Sequence, residues 1–315
     1  MNISSANQEL LVCGTINMDL FAYVDRMPSI GETLASRFTM STAGGKALNQ
    51  AIAASRLNAN TRFIGKIGED FFGTNLKEIL MKENINLCDL IEDSRLETGT
   101  SFIIVNGSGD NTIITNLNAN QSLSTDEIES VLTDLKYVEI ASLQLEMPVK
   151  AREEIIKKLY DARVRTILNA APVVEMSNQS LSMIDVLIVN EVEARQMLGK
   201  NMKTKEDVTK HIKALKRRYD QKVIVTLGSQ GCVFADGEQI EHISAPRVEV
   251  INTTGAGDCF CGSFAARWLN HSFSEAVEYA VYASALSVTK HGAVESMPYL
   301  EEVNTFFTNK KAEEG

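Results

Sequence analysis

The sequence predicts an α/β fold, a three-layer α/β/α sandwich around a mostly parallel central sheet. Three observations carry that prediction. From about residue 126 onward, apolar strand-like runs alternate with amphipathic helical stretches, which gives a parallel sheet covered on both faces. Four successive runs end in polar or glycine-rich turns, and such turns gather at the carboxyl edge of an open sheet, where ligands bind. The third observation is the stretch Asn252-Thr253-Thr254-Gly255-Ala256-Gly257-Asp258-Cys259-Phe260. It reads as the end of a strand over 247–251, a tight glycine turn, and the start of a helix.

Glycines in that turn let backbone N–H groups approach an anion, and the positive end of the helix dipole points the same way. Asp258 sits in the same turn. A carboxylate there is ordinary capping chemistry; beside a phosphate it acts as a proton acceptor or a Mg²⁺ partner. The polar strand ends in series favour chemistry over capping.

The chain in order begins with a strand over 10–13 and a turn, Gly14-Thr15-Ile16-Asn17-Met18-Asp19. A dinucleotide-binding turn would carry G-x-G-x-x-G here, and this one does not. Asn17 and Asp19 straddle the turn as a hydroxyl-binding pair, or serve the turn itself. Strands follow over 20–24 and 33–42. Gly44-Gly45-Lys46-Ala47-Leu48-Asn49-Gln50-Ala51 then opens a small-residue helix to about Leu57. A Walker A loop is excluded, because Met40 and Ala47 stand where it needs glycine and Ser/Thr. The Gly-Gly turn makes an anion or hydroxyl site, or a packing turn with a solvated Lys46.

A strand over 62–67 and a helix over 72–83 come next. A hairpin then flanks Asn106-Gly107-Ser108-Gly109-Asp110. With strands 20–24 and 33–42 it forms a small separate sheet, a natural lid that excludes water. The second half gives a strand over 138–145 ending in Gln144-Leu145-Glu146, then a helix over 149–163. A strand over 166–169 enters Ala170-Ala171-Pro172, and one over 186–189 enters Asn190-Glu191-Val192-Glu193. A helix over 204–219 precedes a strand over 223–226 that enters Leu227-Gly228-Ser229-Gln230-Gly231. Helices over 260–270 and 274–290 close the pattern, and the polar tail from Thr308 is expected to fray.

Composition narrows the function. The chain has 315 residues, 44% of them hydrophobic and 23% charged, with net charge −10. That charge argues against a nucleic-acid partner. No apolar run is long enough to span a bilayer, and Met1 to Glu9 lacks a signal-peptide core. Cysteines 13, 88, 232, 259 and 261 are unpaired in spacing, as expected of reduced thiols in a cytoplasm. Cys259 and Cys261 have no second pair or nearby histidine to complete a metal site and read as helix packing.

These motifs resemble those of the ribokinase-like (PfkB) carbohydrate kinases over about residues 10–300. The runs at 44–51 and 252–258 are similar to that family's two signatures, and those at 144–146, 190–193 and 226–231 fall where the family has similar ones. The resemblance implies one kinase domain over 1–315, with lid strands inserted at about 20–42 and 100–116. It implies an ATP-dependent sugar kinase with ribose as the leading acceptor. A deoxyribose, another small sugar or a nucleoside is the alternative, as is a non-catalytic sugar-binding regulator. Retention of Asp258, both glycines and Glu193 argues against the regulator. Pocket residues suited to a polyol, without aromatics to stack on, argue against a nucleoside.

By the same resemblance, Asp258 is the general base, and Gly255, Ala256 and Gly257 form the anion hole. Asn17, Asp19, Gly45, Lys46, Asn49 and Glu146, with Asp258, hold the sugar. Asn190, Thr226, Gly228, Ser229, Gly231 and Gly257 line the nucleotide site, and Glu193 orients Mg²⁺ through water. A monovalent cation, K⁺ in this family, would be held near Asn252, Thr254, Ser287, Lys290, Gly292 and Ser296. A homodimer through the lid is implied too. The chain departs from the family at three points. Asn252 replaces an acid, which weakens K⁺ activation. Ala47-Leu48 replaces a smaller pair, which would trim the sugar pocket. Asn169-Ala170-Ala171-Pro172 lacks a proline, which alters only loop stiffness.

Overall fold

The computed structural model describes residues 8–314, so the N-terminal stretch up to residue 7 lies outside the described residues. In chain order the elements are β1 (Glu9–Cys13), β2 (Asn17–Tyr23), β3 (Phe38–Gly44), α1 (Lys46–Arg56), β4 (Asn60–Gly68), α2 (Phe71–Lys82), β5 (Asn86–Asp93), β6 (Gly99–Val105) and β7 (Asn111–Asn116). Next come α3 (Thr125–Val131), β8 (Val138–Gln144), α4 (Val149–Asp161), β9 (Arg165–Asn169), α5 (Asn178–Ser182), β10 (Val186–Asn190), α6 (Glu191–Leu198) and α7 (Lys205–His211). The last are β11 (Lys222–Thr226), β12 (Cys232–Asp236), β13 (Gln239–Ile243), α8 (Ala256–Trp268), α9 (Phe273–Ser287) and α10 (Leu300–Glu314).

Nine strands form one sheet in the order β13-β12-β11-β10-β9-β8-β1-β4-β5, parallel except for the β11-β12-β13 edge. Alternation along β1 divides its side chains between two cores. Leu10 and Val12 join α1, α2, α8 and α9 on one face. Leu11 and Cys13 join α3, α4, α6 and α7 on the other. The predicted α/β sandwich is therefore the observed fold. A separate four-stranded sheet, ordered β3-β2-β6-β7, stands beside it.

Several elements differ from expectation. Asn17 and Asp19 lie on β2, not on a turn, so they share one face of the strand. The extended run near residue 33 becomes a strand only from Phe38. β5 has no sequence forecast; its acids interrupt the apolar pattern of a strand. Asp89 and Asp93 are in fact buried against Arg62 and Lys66 of the neighbouring β4. The hairpin β12-β13 also lacked a forecast. The helix expected over 204–219 stops early. The buried Gln221 side chain takes the Arg217 N–H at 2.7 Å and donates to the Leu181 and Ile184 carbonyls.

Residues 247–251 are not a strand. The Ile251 and Asn252 amides donate to the Val288 carbonyl at 2.8 and 3.2 Å, tying this segment to the end of α9 rather than to a sheet. The polar tail from Thr308 continues α10 to Glu314. Glu302 accepts from the Tyr299 N–H at 2.8 Å, Val303 is buried, and Phe307 packs on Tyr282, so α10 is held down by its apolar side.

Candidate active site

A cavity of about 540 Å³ opens between the carboxyl edge of the large sheet and the small sheet. Each wall follows from local structure. β2 ends the turn after β1 and presents Asn17 and Asp19. Asn17 is fixed from behind, since Asn120 Nδ2 donates to its Oδ1 at 2.9 Å and also grips Ile16. At the entry to α1, Gly45 has φ 98°, and a Cβ there would sit 2.6 Å from the Thr15 carbonyl. Only glycine brings α1 this close to the β1 turn.

Lys46 and Asn49 reach the cavity from α1. Lys46 Nζ pairs with Glu146 Oε1 at 2.5 Å, and Thr15 Oγ1 donates to Glu146 Oε2 at 2.9 Å. Burial works against the Lys46 ammonium, but the Glu146 carboxylate beside it prevails and holds its pKa above the ordinary lysine value. Burial pushes the Asp19 carboxyl up to about 6, with the Glu146 charge adding to the rise and a Ser101 hydrogen bond opposing it.

Asp258 stands in the first turn of α8. Asn49 Nδ2 donates to its Oδ2 at 2.9 Å and Gln50 Nε2 to its Oδ1 at 3.2 Å. Burial raises its pKa to about 6, against the Asn49 bond, the Lys46 charge and the Gln50 bond. A carboxyl so placed exchanges its proton near neutral pH, as a general base must. The amides of Gly255, Gly257 and Asp258 find no acceptor among the described residues. Ala256 departs from expectation: its N–H is committed to the Thr253 carbonyl at 3.2 Å, and it does not line the cavity. The open amides at this N-terminus suit an anion.

Asn190 and Glu193 also face the cavity. They form a capping box, in which the Asn190 N–H donates to Glu193 Oε2 at 2.8 Å. Burial raises the Glu193 pKa. Thr226 pairs with Asn190 in register at the end of β11. Thr226, Gly228, Ser229 and Gly231 lie on this neighbouring edge, outside the cavity, with Gly228 and Ser229 exposed. Asn252, Thr254 and Gly292 line the cavity, whereas Ser287 and Ser296 are buried and do not, nor does Lys290.

One expectation is overturned outright. Ala47 and Leu48 are fully buried in the core and touch no part of the cavity, so they cannot trim it. Other residues had no forecast role. Phe21 and Tyr23 of β2 line the cavity, although no aromatic was expected there. Thr15, Gln50 and Asn120 hold the polar groups in place. Only Gln50 carried a signal, as the second of two adjacent amides just before the apolar run of α1.

Fold and site together define a small-molecule site, in which a wall of hydrogen-bonding side chains meets a helix terminus with open amides. Comparison with known proteins gives the family. The profile of the pfkB family carbohydrate kinases matches residues 7–300. Ribokinase of Staphylococcus aureus is 35% identical over 300 residues, covering 94% of this chain and 98% of that protein. Deoxyribokinase of Salmonella typhi is 30% identical, covering 95% and 99%. The structure of Arabidopsis thaliana ribokinase complexed with ribose and ATP matches with a TM-score of 0.87 at 30% identity, covering 95% of this chain and 98% of that one. The chain belongs to the pfkB family of carbohydrate kinases, phosphotransferases with an alcohol group as acceptor.

Proposed function

We propose that this chain is an ATP-dependent sugar kinase that converts ribose to ribose 5-phosphate. The observation that carries the reading is Asp258: its carboxyl is poised near neutrality beside open helix-terminal amides, in one cavity with the Lys46–Glu146 pair and the Asn17–Asp19 face. Asn17, Asp19, Gly45, Lys46, Asn49 and Glu146 bind the sugar hydroxyls. Asp258 takes the proton of the primary hydroxyl as that oxygen bonds to the γ-phosphorus and the bond to the β-phosphate oxygen breaks, releasing ADP. The amides of Gly255 and Gly257 stabilise charge on the transferring group. Asn190 and the edge formed by Thr226, Gly228, Ser229 and Gly231 receive the nucleotide.

The donor set near Glu193 suits Mg²⁺. Glu193 keeps Oε1 without a partner among the described residues, and Mg²⁺ takes few carboxylates while keeping water and phosphate oxygens. Bound there, it would neutralise phosphate charge. The carbonyls of Thr254, Lys290 and Gly292 accept no backbone hydrogen bond in the loops around α8 and α9, which suits a monovalent cation. The neutral Asn252 side chain weakens that site, and its Oδ1 already accepts the Thr254 N–H at 2.7 Å.

The chain reads as one kinase domain whose small sheet is the lid. The exposed Phe102 and Ile114, cross-strand partners on the face of that sheet turned away from the cavity, support dimerisation through it. All five cysteines are unpaired, which supports a reducing cytoplasm. A different acceptor is the second reading, favoured by Phe21 and Tyr23, whose rings line the cavity and would give a nucleoside base apolar contact. The test of the assignment is Asp258→Asn, expected to lose about a thousandfold in turnover, or about 4 kcal/mol. Near-normal turnover in a folded variant would remove Asp258 from the role of base.

A further inference from the structure

Gln50 is fully buried one residue beyond Asn49 and does not line the cavity. Its amide is nevertheless held at three points. Oε1 accepts from Gln144 Nε2 at 2.7 Å and from Ser142 Oγ at 2.9 Å, while Nε2 donates to Asp258 Oδ1 at 3.2 Å. Ser142 and Gln144 are themselves fully buried, two residues apart on β8, and so share one face of the strand. Turning the Gln50 amide over would set its oxygen against the Asp258 carboxylate, acceptor against acceptor, so an ionised Asp258 fixes the orientation. Gln144 Oε1 is left buried without a partner, a cost tolerated while its amide faces Gln50.

The close approach of the two helices completes the arrangement. A Cβ on Gly262 of α8 would fall 2.3 Å from the Gln50 carbonyl of α1. α8, which carries Asp258, is thus seated directly on the turn of α1 that carries the amide.

We propose that Gln50 is a positioning residue for phosphoryl transfer: clamped from β8 by Ser142 and Gln144, it locks the Asp258 carboxylate in the orientation that receives the acceptor proton. Asn49 holds the other oxygen from the cavity side, so the carboxylate is gripped by adjacent amides of one helix, one in the site and one behind it. The inference rests on Asp258 being the base. Charged and titratable groups facing Asp258 are Lys46 on α1, Glu146 after β8, and Cys259 and Cys261 on its own helix, with Glu193 of α6 facing Cys261.

The test compares Gln50→Leu, Ser142→Ala and Asp258→Asn by steady-state kinetics with ribose and ATP. Gln50→Leu is expected to lower kcat by 10- to 100-fold while the sugar KM stays within twofold. The acid limb of its kcat/KM profile should move to higher pH, because a hydrogen bond that favours the carboxylate is gone. Ser142→Ala, a smaller change should Gln50→Leu fail to fold, is expected to lower kcat by threefold or more at unchanged KM. A Gln50→Leu enzyme with unaltered kcat and acid limb, or one whose loss lies in KM, would overturn the proposal, as would normal kcat in Ser142→Ala if only that variant folds. Asp258→Asn separates the two levels. An inactive Asp258→Asn beside a normal Gln50→Leu rejects positioning alone, whereas an active Asp258→Asn rejects the base itself.

Discussion

Removing the charge at Asp258 should make the protein more stable at neutral pH while disabling it. The carboxyl is raised from its ordinary 3.8 to about 6, burial being the main cause. Each unit is worth about 1.4 kcal/mol, so ionisation at Asp258 costs the fold about 3 kcal/mol above pH 7. In D258N that cost disappears. Part of the gain is lost because a carboxamide oxygen can satisfy Asn49 or Gln50 but its NH₂ then faces the other donor, at about 1–2 kcal/mol. The expected net gain is about 1–2 kcal/mol. With 315 residues and roughly 2.1 cal/mol/K per residue of unfolding entropy, that is about 2–3 °C in Tm.

The sign of the pH dependence is fixed by the direction of the shift. Because the folded pKa lies above the unfolded one, wild type recovers stability as pH falls through about 6 toward 4. Between pH 7.5 and pH 5 roughly half of the penalty is relieved in wild type and none in D258N. Thermal unfolding followed by circular dichroism at the two pH values reads this directly. The Tm advantage of D258N should be largest at pH 7.5 and shrink at pH 5. A variant less stable than wild type at pH 7.5, or an advantage that does not shrink on acidification, would refute a buried, destabilised carboxylate.

The remaining predictions concern the cation, the helix contact and the reaction's own pH dependence. Wild type should show little K⁺ activation, and Asn252→Asp should increase it by restoring a charge near the open Thr254, Lys290 and Gly292 carbonyls; a strong K⁺ requirement in wild-type turnover assays would contradict this. Gly262→Ala places a Cβ 2.3 Å from the Gln50 carbonyl and 2.8 Å from Ala53 Cβ, so α1 and α8 must part. Calorimetry should show a loss of about 1–3 kcal/mol and kinetics a lower kcat, and a neutral outcome would mean that the contact is slack. For wild type, kcat/KM should fall about tenfold per unit below pH 6, tracking the Asp258 carboxyl; a flat profile down to pH 5 would show that no such base is used.

Much of the fold was legible because its strands are short apolar runs and its helices amphipathic, as in β10 and α4. What escaped detection had its signal cancelled by a partner. β5 hid because Asp89 and Asp93 look solvent-bound until Arg62 and Lys66 of β4 neutralise them. The segment before the glycine turn has strand-like residues, yet its amides go to Val288. In the site, residues in dense polar motifs were found: Asn17, Asp19, Lys46, Asn49, Glu146 and Asp258 line one cavity. Thr15 and Asn120, which hold Glu146 and Asn17, stand alone in sequence, and only the folded chain brings them there. Ala47 and Leu48 misled because the start of a helix at a binding turn has an inner face, and that face is where they point.

The central claim is tested most directly by ATP consumption with a panel of acceptors: ribose, deoxyribose, fructose and a nucleoside, each with Mg²⁺ and with or without K⁺. The account predicts rapid turnover on ribose, no comparable turnover on the others, and little change on adding K⁺. Turnover on a different acceptor would keep the phosphotransfer chemistry but reject ribose. Sugar binding without turnover on any acceptor would contradict the enzyme and leave a sugar-binding regulator on a kinase scaffold.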